Sequence, residues 1–258
     1  MPSCYFPTKN LVVRQSEAGW ELKTNNMATK TTNAKIDTEV VDPVLDKVLV
    51  NKLIGVVRKG LSCGLGEAKP GKMCVEAAVC YAYGLPHNDN PPCVGNAVRA
   101  FKIQLNDSTW TSPKARAKGM IELSIAQLNS NTIDQKVFSE ELMLAAIRTR
   151  GAEIAKKYDL TEIAKTLKTA KTFTEVYDML ITVRDTAEDE KKEFMQKLIC
   201  GCTSSVTGKA DYVADAYAQL QGQHRRTNVY LIEAAQLCLK ILKKMKSPGC
   251  KYLYLLNK

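Results

Sequence analysis

Gly71–Asp107 reads GKMCVEAAVCYAYGLPHNDNPPCVGNAVRAFKIQLND, and its pattern sets how the rest of the chain is read. Val75, Ala78, Val79 and Ala82 share one side of a predicted helix over 73–83, and their small size lets a neighbouring helix approach closely. Gly84 ends that helix, and prolines at positions 86, 91 and 92 stiffen the loop that follows. A second helix fits 94–105, with Val98, Phe101, Ile103 and Leu105 as its apolar content. The unit is helix, rigid loop, helix. It also carries one of the two histidines and three of the nine cysteines.

The same logic extends in both directions. Upstream, Asp42 suits an N-cap, Pro43 the first helical position and Gly60 the exit. Val44, Leu45, Val48, Leu49, Leu53, Val56 and Val57 then form a buried stripe over 43–59. Downstream, Ser112-Pro113 starts a helix that runs to about 128. Further helices are predicted over 139–157, 161–168, 173–183, 187–199 (closed by Gly201), 209–220 and 225–246, the last stopped by Ser247-Pro248-Gly249. Residues 251–256 read as a final extended segment or short turn.

Near the N-terminus, Leu11-Val12-Val13 and Trp20-Glu21-Leu22 fit a short hairpin around Glu17-Ala18-Gly19. A Thr-, Asn- and Lys-rich linker follows over 25–33. Met27-Ala28 reads as an alternative start, which would make the first 26 residues an extension or a start-site artefact. The expected fold is all-α: an irregular bundle or array of about eight to ten helices with a weak extended N-terminal segment. Residues 1–36 read as a weakly ordered extension and 37–258 as one domain, with a sub-boundary near 130–138.

Composition narrows function. At 258 residues and 45% hydrophobic, the chain can bury a sizeable core. No run approaches the roughly 18 apolar residues of a membrane span, and no secretory leader pattern opens the chain. Nine cysteines at irregular spacing read as reduced, buried thiols of a cytoplasmic protein. The net charge of +10 is concentrated in the tail, where residues 224–258 hold eight Lys and Arg against Glu233 alone. Arg225, Arg226, Lys240, Lys243 and Lys244 are therefore the candidate nucleic-acid contacts.

Three chemistries are weighed in the central stretch. Gly66–Met73, GEAKPGKM, matches the phosphate-binding loop until Met73 replaces the required hydroxyl, and no strand precedes it. A Lys-Pro-Gly turn leading into a helix explains it better, although Lys72 beside a helix N-terminus still attracts anions. Cys74, Glu76, His87 and Asp89 are the candidate catalytic set, with a helix-N-terminal Cys74 as thiolate and His87 as base. Lys72, His87, Asp89, Asn106 and Asp107 are the candidate ligand contacts. Spacing does not give a metal site, since no C-x-x-C or H-x-x-x-H pair is present, and no cofactor is expected. The bland reading has Glu76 and Asp89 as caps, His87 bonded to a loop carbonyl, and Cys80 and Cys93 as buried apolar groups. Cys200-Gly201-Cys202 reads as a helix exit.

The string Met73–Val79, followed by Gly84–Val94 and Asn106-Asp107, resembles a group of uncharacterised bacterial and bacteriophage helical proteins. Lys246-Ser247-Pro248-Gly249-Cys250 resembles their C-terminal end. The resemblance spans 44–128 and 228–254 and does not reach 130–223. It implies a bacterial or phage cytoplasm, or a virion, and a shared core; it implies no reaction. The function expected is binding to a protein partner or a second copy, without catalysis and without a membrane. The alternatives are a small enzyme or ligand-binding protein using the Cys/Glu/His/Asp set, and a nucleic-acid binder using the basic tail.

Overall fold

In a computed structural model the described residues are 11–16, 19–24, 44–172, 174–203, 210–222 and 226–257, with backbone alone at 11–16, 19–24, 174, 190 and 199–203. The chain divides into two units, Met1–Val41 and Asp42–Lys258. In the first, β1 (Leu11–Ser16) pairs antiparallel with β2 (Gly19–Thr24), with Ser16 opposite Gly19. The expected hairpin is there. The linker over 25–33, the start at Met27, and Asp42 and Pro43 lie outside the described residues.

The second unit is all-α. In order come α1 (Lys47–Val57), α2 (Val75–Tyr83), α3 (Asn96–Asp107), α4 (Pro113–Ala126), α5 (Gln135–Ala146), α6 (Ala152–Lys157), α7 (Thr161–Thr169), α8 (Thr174–Thr186), α9 (Asp189–Thr203), α10 (Asp211–Gly222) and α11 (Val229–Lys244). A 3-10 segment, Pro248–Asn257, follows α11. These are eleven α-helices among the described residues, but α5 and α6 are one rod interrupted by a π turn at Ile147–Gly151. A single inserted residue of this kind changes which face points inward while the rod continues.

Caps fix most of the starts. Ser112 Oγ accepts from Ala115 N at 3.0 Å and Pro113 fills the first position of α4. Asp134 Oδ1 accepts from Lys136 N and Val137 N, so α5 begins a turn before Ser139. Asp46 Oδ1 accepts from Leu49 N at 2.8 Å, so α1 begins at Lys47 and not at Pro43. Of the expected stripe, Leu49, Leu53, Val56 and Val57 are buried, joined by Val50 and Ile54, whereas Val44 and Val48 are 78% and 76% exposed. Gly201 does not close α9, which continues to Thr203.

The core is continuous through this unit. α3 packs on α10, α10 lies against α9 and α11, and α11 packs on α4 and α5. Tyr217 of α10 is fully buried and meets Phe194 of α9 edge-on, with ring centroids 6.4 Å apart. On the other side of α4 lie α1 and the terminal 3-10 segment. Gly249 makes that last contact close: its N–H donates to Leu128 O at 3.0 Å, and a Cβ there would fall 2.0 Å from Ile125 O. Ser247 Oγ donates to Ala126 O, and Tyr252 Oη donates to Leu45 O. No described helix is long and apolar enough to cross a membrane.

Candidate functional site

Loops 58–74 and 84–95 meet the ends of α2 and α3, and most of the sequence-predicted residues gather there. Cys74 is the N-cap of α2, its Sγ accepting from Ala77 N at 3.3 Å. A thiolate would be favoured at a helix N-terminus, but here the thiol is 4% exposed. Burial dominates and pushes it up to about 11. Cys80, pushed up to about 12 by burial, and Cys93, raised by the same cause, are also buried thiols.

Asn106 and Asp107 close α3 and tie loop 58–74 and the start of α2 to it. Asn106 Oδ1 accepts from Val75 N at 3.3 Å, and its Nδ2 donates to Ser62 O at 2.9 Å and to Asp107 Oδ1 at 2.7 Å. Asp107 Oδ1 accepts from Gly64 N at 2.7 Å. Nearby Arg116, 7% exposed, donates to Asn106 O at 2.7 Å and Leu61 O at 2.9 Å. These side chains satisfy backbone groups that loops leave unpaired. Arg116 does so at the C-terminal end of α3, where a cation suits the helix dipole.

Glu76 is neither a cap nor an accessible acid. It is fully buried on α2, where it faces Lys102 of α3, also fully buried, with Nζ 3.5 Å from Oε1. Neither Glu76 oxygen nor Lys102 Nζ makes a well-formed hydrogen bond, and the amide of buried Gln127 is likewise unmatched. Burial raises the Glu76 carboxyl above its ordinary value and lowers the Lys102 amine below its own, each opposed by the partner's charge.

His87 does not join this group. Its Nε2 lies 3.1 Å from Gly66 O, which straps the two loops together, as the bland reading expected. Lys72 is exposed and pairs with Glu67 at 3.3 Å. The GEAKPGKM loop folds on itself: Gly66 bridges Met73, Glu67 N donates to Lys72 O, and a Cβ at Gly66 (φ +71°) would fall 2.1 Å from Lys72 O. The amides of Glu67, Lys69 and Lys72 all donate within the loop. Asp89 is exposed at the rim, beside a cavity also lined by Cys74, Glu76, Asn106 and Asp107. That cavity is about 10 Å³, the space of one water. Among the described residues no three His, Cys, Asp or Glu side chains converge as metal ligands.

Arg226, Lys240, Lys243 and Lys244 are exposed; Lys244 is paired with Glu141 at 2.7 Å, and Arg225 lies outside the described residues. Side chains of Cys200 and Cys202 also lie outside them. Two clefts of a different kind flank α4. One, about 460 Å³, is lined by Arg58, Lys114, Ala117, Lys118, Ile121 and Leu256. The other, about 360 Å³, lies between α4 and α11, with Leu123, Ile232 and Leu239 in its walls and Lys118 and Glu122 at its edge.

Sequence reading missed Lys102, Arg116, Gln127 and the α4 clefts. Lys102 left a signal: Val98, Phe101, Lys102 and Leu105 fall at i, i+3, i+4 and i+7, which places the lysine on the apolar stripe. Arg116 and Gln127 left none. No protein-family description, curated protein or solved structure matches the chain.

Proposed function

We propose that the chain acts by binding, without catalysis, as an accessory factor of a bacterial or phage cytoplasm. One observation carries this reading: the space enclosed by Cys74, Glu76, Asp89, Asn106 and Asp107 is about 10 Å³. Ligand and substrate sites are usually some 300–1,000 Å³. Of the residue types that looked like chemistry, Cys74, His87, Asn106 and Asp107 bond loops and helix ends, and Glu76 is buried against Lys102. The open space lies at α4, in clefts lined by no His or Cys. The bacterial or phage setting rests on the resemblance of the Met73–Val79 and Lys246–Cys250 segments.

The competing reading is an enzyme with Cys74 as nucleophile and His87 as base. It requires a thiolate near neutral pH, whereas burial holds Cys74 near 11. Iodoacetamide labelling of the native protein at neutral pH, mapped by mass spectrometry, separates the two. Cys74 is expected to resist until denaturant is added. Rapid stoichiometric labelling of Cys74, lost in His87→Ala, would overturn the non-catalytic reading.

A further inference from the structure

We infer that the cleft over the first half of α4 is a docking groove for an acidic amphipathic segment of a partner protein. The inference rests on the binding reading above and names its surface and partner class. Three cations line the cleft, Arg58, Lys114 and Lys118, and no acid does. Among the described residues none of the three belongs to an ion pair. Two are held instead by backbone carbonyls: Lys114 Nζ donates to Arg58 O at 3.0 Å, and Arg58 Nη2 donates to Leu256 O at 3.4 Å. Carbonyl contacts fix the position of a cation without cancelling its charge. The cleft is therefore a pre-positioned, uncompensated positive site.

Its floor decides between polyanions. Ala117, Ile121 and Leu256 provide an apolar bed beneath the cations. A nucleic-acid backbone has no use for such a bed, because its phosphates seek cations and its bases seek stacking surfaces. A helix with Leu or Ile along one side and Asp or Glu along its flanks matches both parts. Lys114 and Lys118, one turn apart on α4, present charge at the spacing of an acidic i, i+4 pair. Lys118 also edges the second cleft, where Ile232 is 39% exposed, so the apolar bed continues across the ridge. Glu122 marks where the basic surface ends.

The test uses fluorescence anisotropy with the full-length protein and a labelled Leu/Glu amphipathic peptide of about four helical turns, roughly 15 residues. A Leu/Lys peptide, a sequence-scrambled Leu/Glu peptide and a duplex oligonucleotide serve as controls. Binding of the Leu/Glu peptide alone is expected, weakening as salt rises. Lys118→Glu with Lys114→Gln should weaken it by about tenfold or more. Lys118→Gln, which disturbs no hydrogen bond, should give a smaller loss in the same direction. Circular dichroism melting confirms that the variants remain folded. Equal binding by wild type and variants, equal binding of the scrambled peptide, or binding of the duplex in place of the peptide would each overturn the inference. Self-association lost in Lys118→Glu would do the same, by placing a second copy in the groove. Cys74 labelling of the same sample keeps the two ideas apart. No peptide binding with a protected Cys74 removes the acidic partner alone, whereas a reactive Cys74 removes the non-catalytic reading beneath it.

Discussion

Of the acid–base pairs that join helices among the described residues, Glu76–Lys102 and Arg150–Glu233 do so under opposite conditions. Glu76 and Lys102 link α2 to α3 with no exposure on either side chain, at a single 3.5 Å approach. Arg150 and Glu233 link the π turn to α11 at 17% and 31% side-chain exposure, with Arg150 Nε 2.9 and 3.1 Å from the two carboxylate oxygens. The guanidinium also bonds Glu233 through Nη2 and lies 4.7 Å from the centre of the Tyr230 ring. A planar fork can satisfy a carboxylate on both oxygens while keeping part of its solvation; a buried ammonium facing one oxygen does neither. The first pair is held by the packing around it, and the second contributes to holding that packing.

Breaking the buried pair should produce the largest effect. Glu76→Ala strands Lys102 in the core and is expected to cost roughly 3–5 kcal/mol in urea unfolding. The double change Glu76→Leu with Lys102→Met should be neutral or more stable by roughly 1–4 kcal/mol. A double variant as damaged as the single one would mean that the pair itself stabilises the fold, and the contrast with Arg150 would collapse. Arg150→Met is expected to lose about 1–2 kcal/mol, reduced by partial exposure and shrinking further in high salt. A loss indifferent to salt would show that Arg150 acts through packing alone.

The pH response sharpens the contrast. Burial raises Glu76 above 4.5 and lowers Lys102 below 10.5. The raised carboxyl makes the folded state hold more protons than the unfolded one as pH climbs past 4.5, so its contribution falls with rising pH. The depressed amine makes the folded state hold fewer protons below 10.5, so its contribution rises with pH. The two contributions therefore have opposite signs. Glu76→Gln removes the first slope. Its stability should climb as pH approaches 10.5, by up to about 1.4 kcal/mol per pH unit, relative to the wild type. Parallel profiles for the two proteins would remove the assigned shifts. The smallest effect belongs to a position in neither pair. Val48→Lys, on the solvent side of α1, should change stability by no more than about 0.5 kcal/mol. A larger loss would show Val48 packed against something.

Local signals were the readable ones. Ser112-Pro113, Gly84 and the hairpin residues act within four or five positions of themselves, so the elements they start or stop could be placed from sequence. Asp46 shows the limit: it and Asp42 are both acceptable cap residues by type, and α1 is capped by Asp46. Of the candidate site, the convergence of Cys74, Glu76, Asp89, Asn106 and Asp107 was readable from their shared helix–loop–helix stretch. Its closure to about 10 Å³ was not. That depends on Gly64, Leu65, Val75 and Ile103, which line the same space from loop 58–74, α2 and α3. The α4 clefts join residues as distant as Arg58 and Leu256, and no periodicity within one helix reports such a meeting.

The bond from Tyr252 to Leu45 O spans 207 positions along the chain. During synthesis at about 5–20 residues per second, roughly 10–40 s pass between the emergence of the two groups. Throughout that interval α1 has no terminal 3-10 segment to lie against, and the seam closed by Gly249 on Leu128 is open. The segment around Tyr252, made well after α1, thus acts as a latch on that helix. A ribosome stalled shortly before Tyr252 would hold a chain whose helices are made but whose α1–α4 face is still accessible.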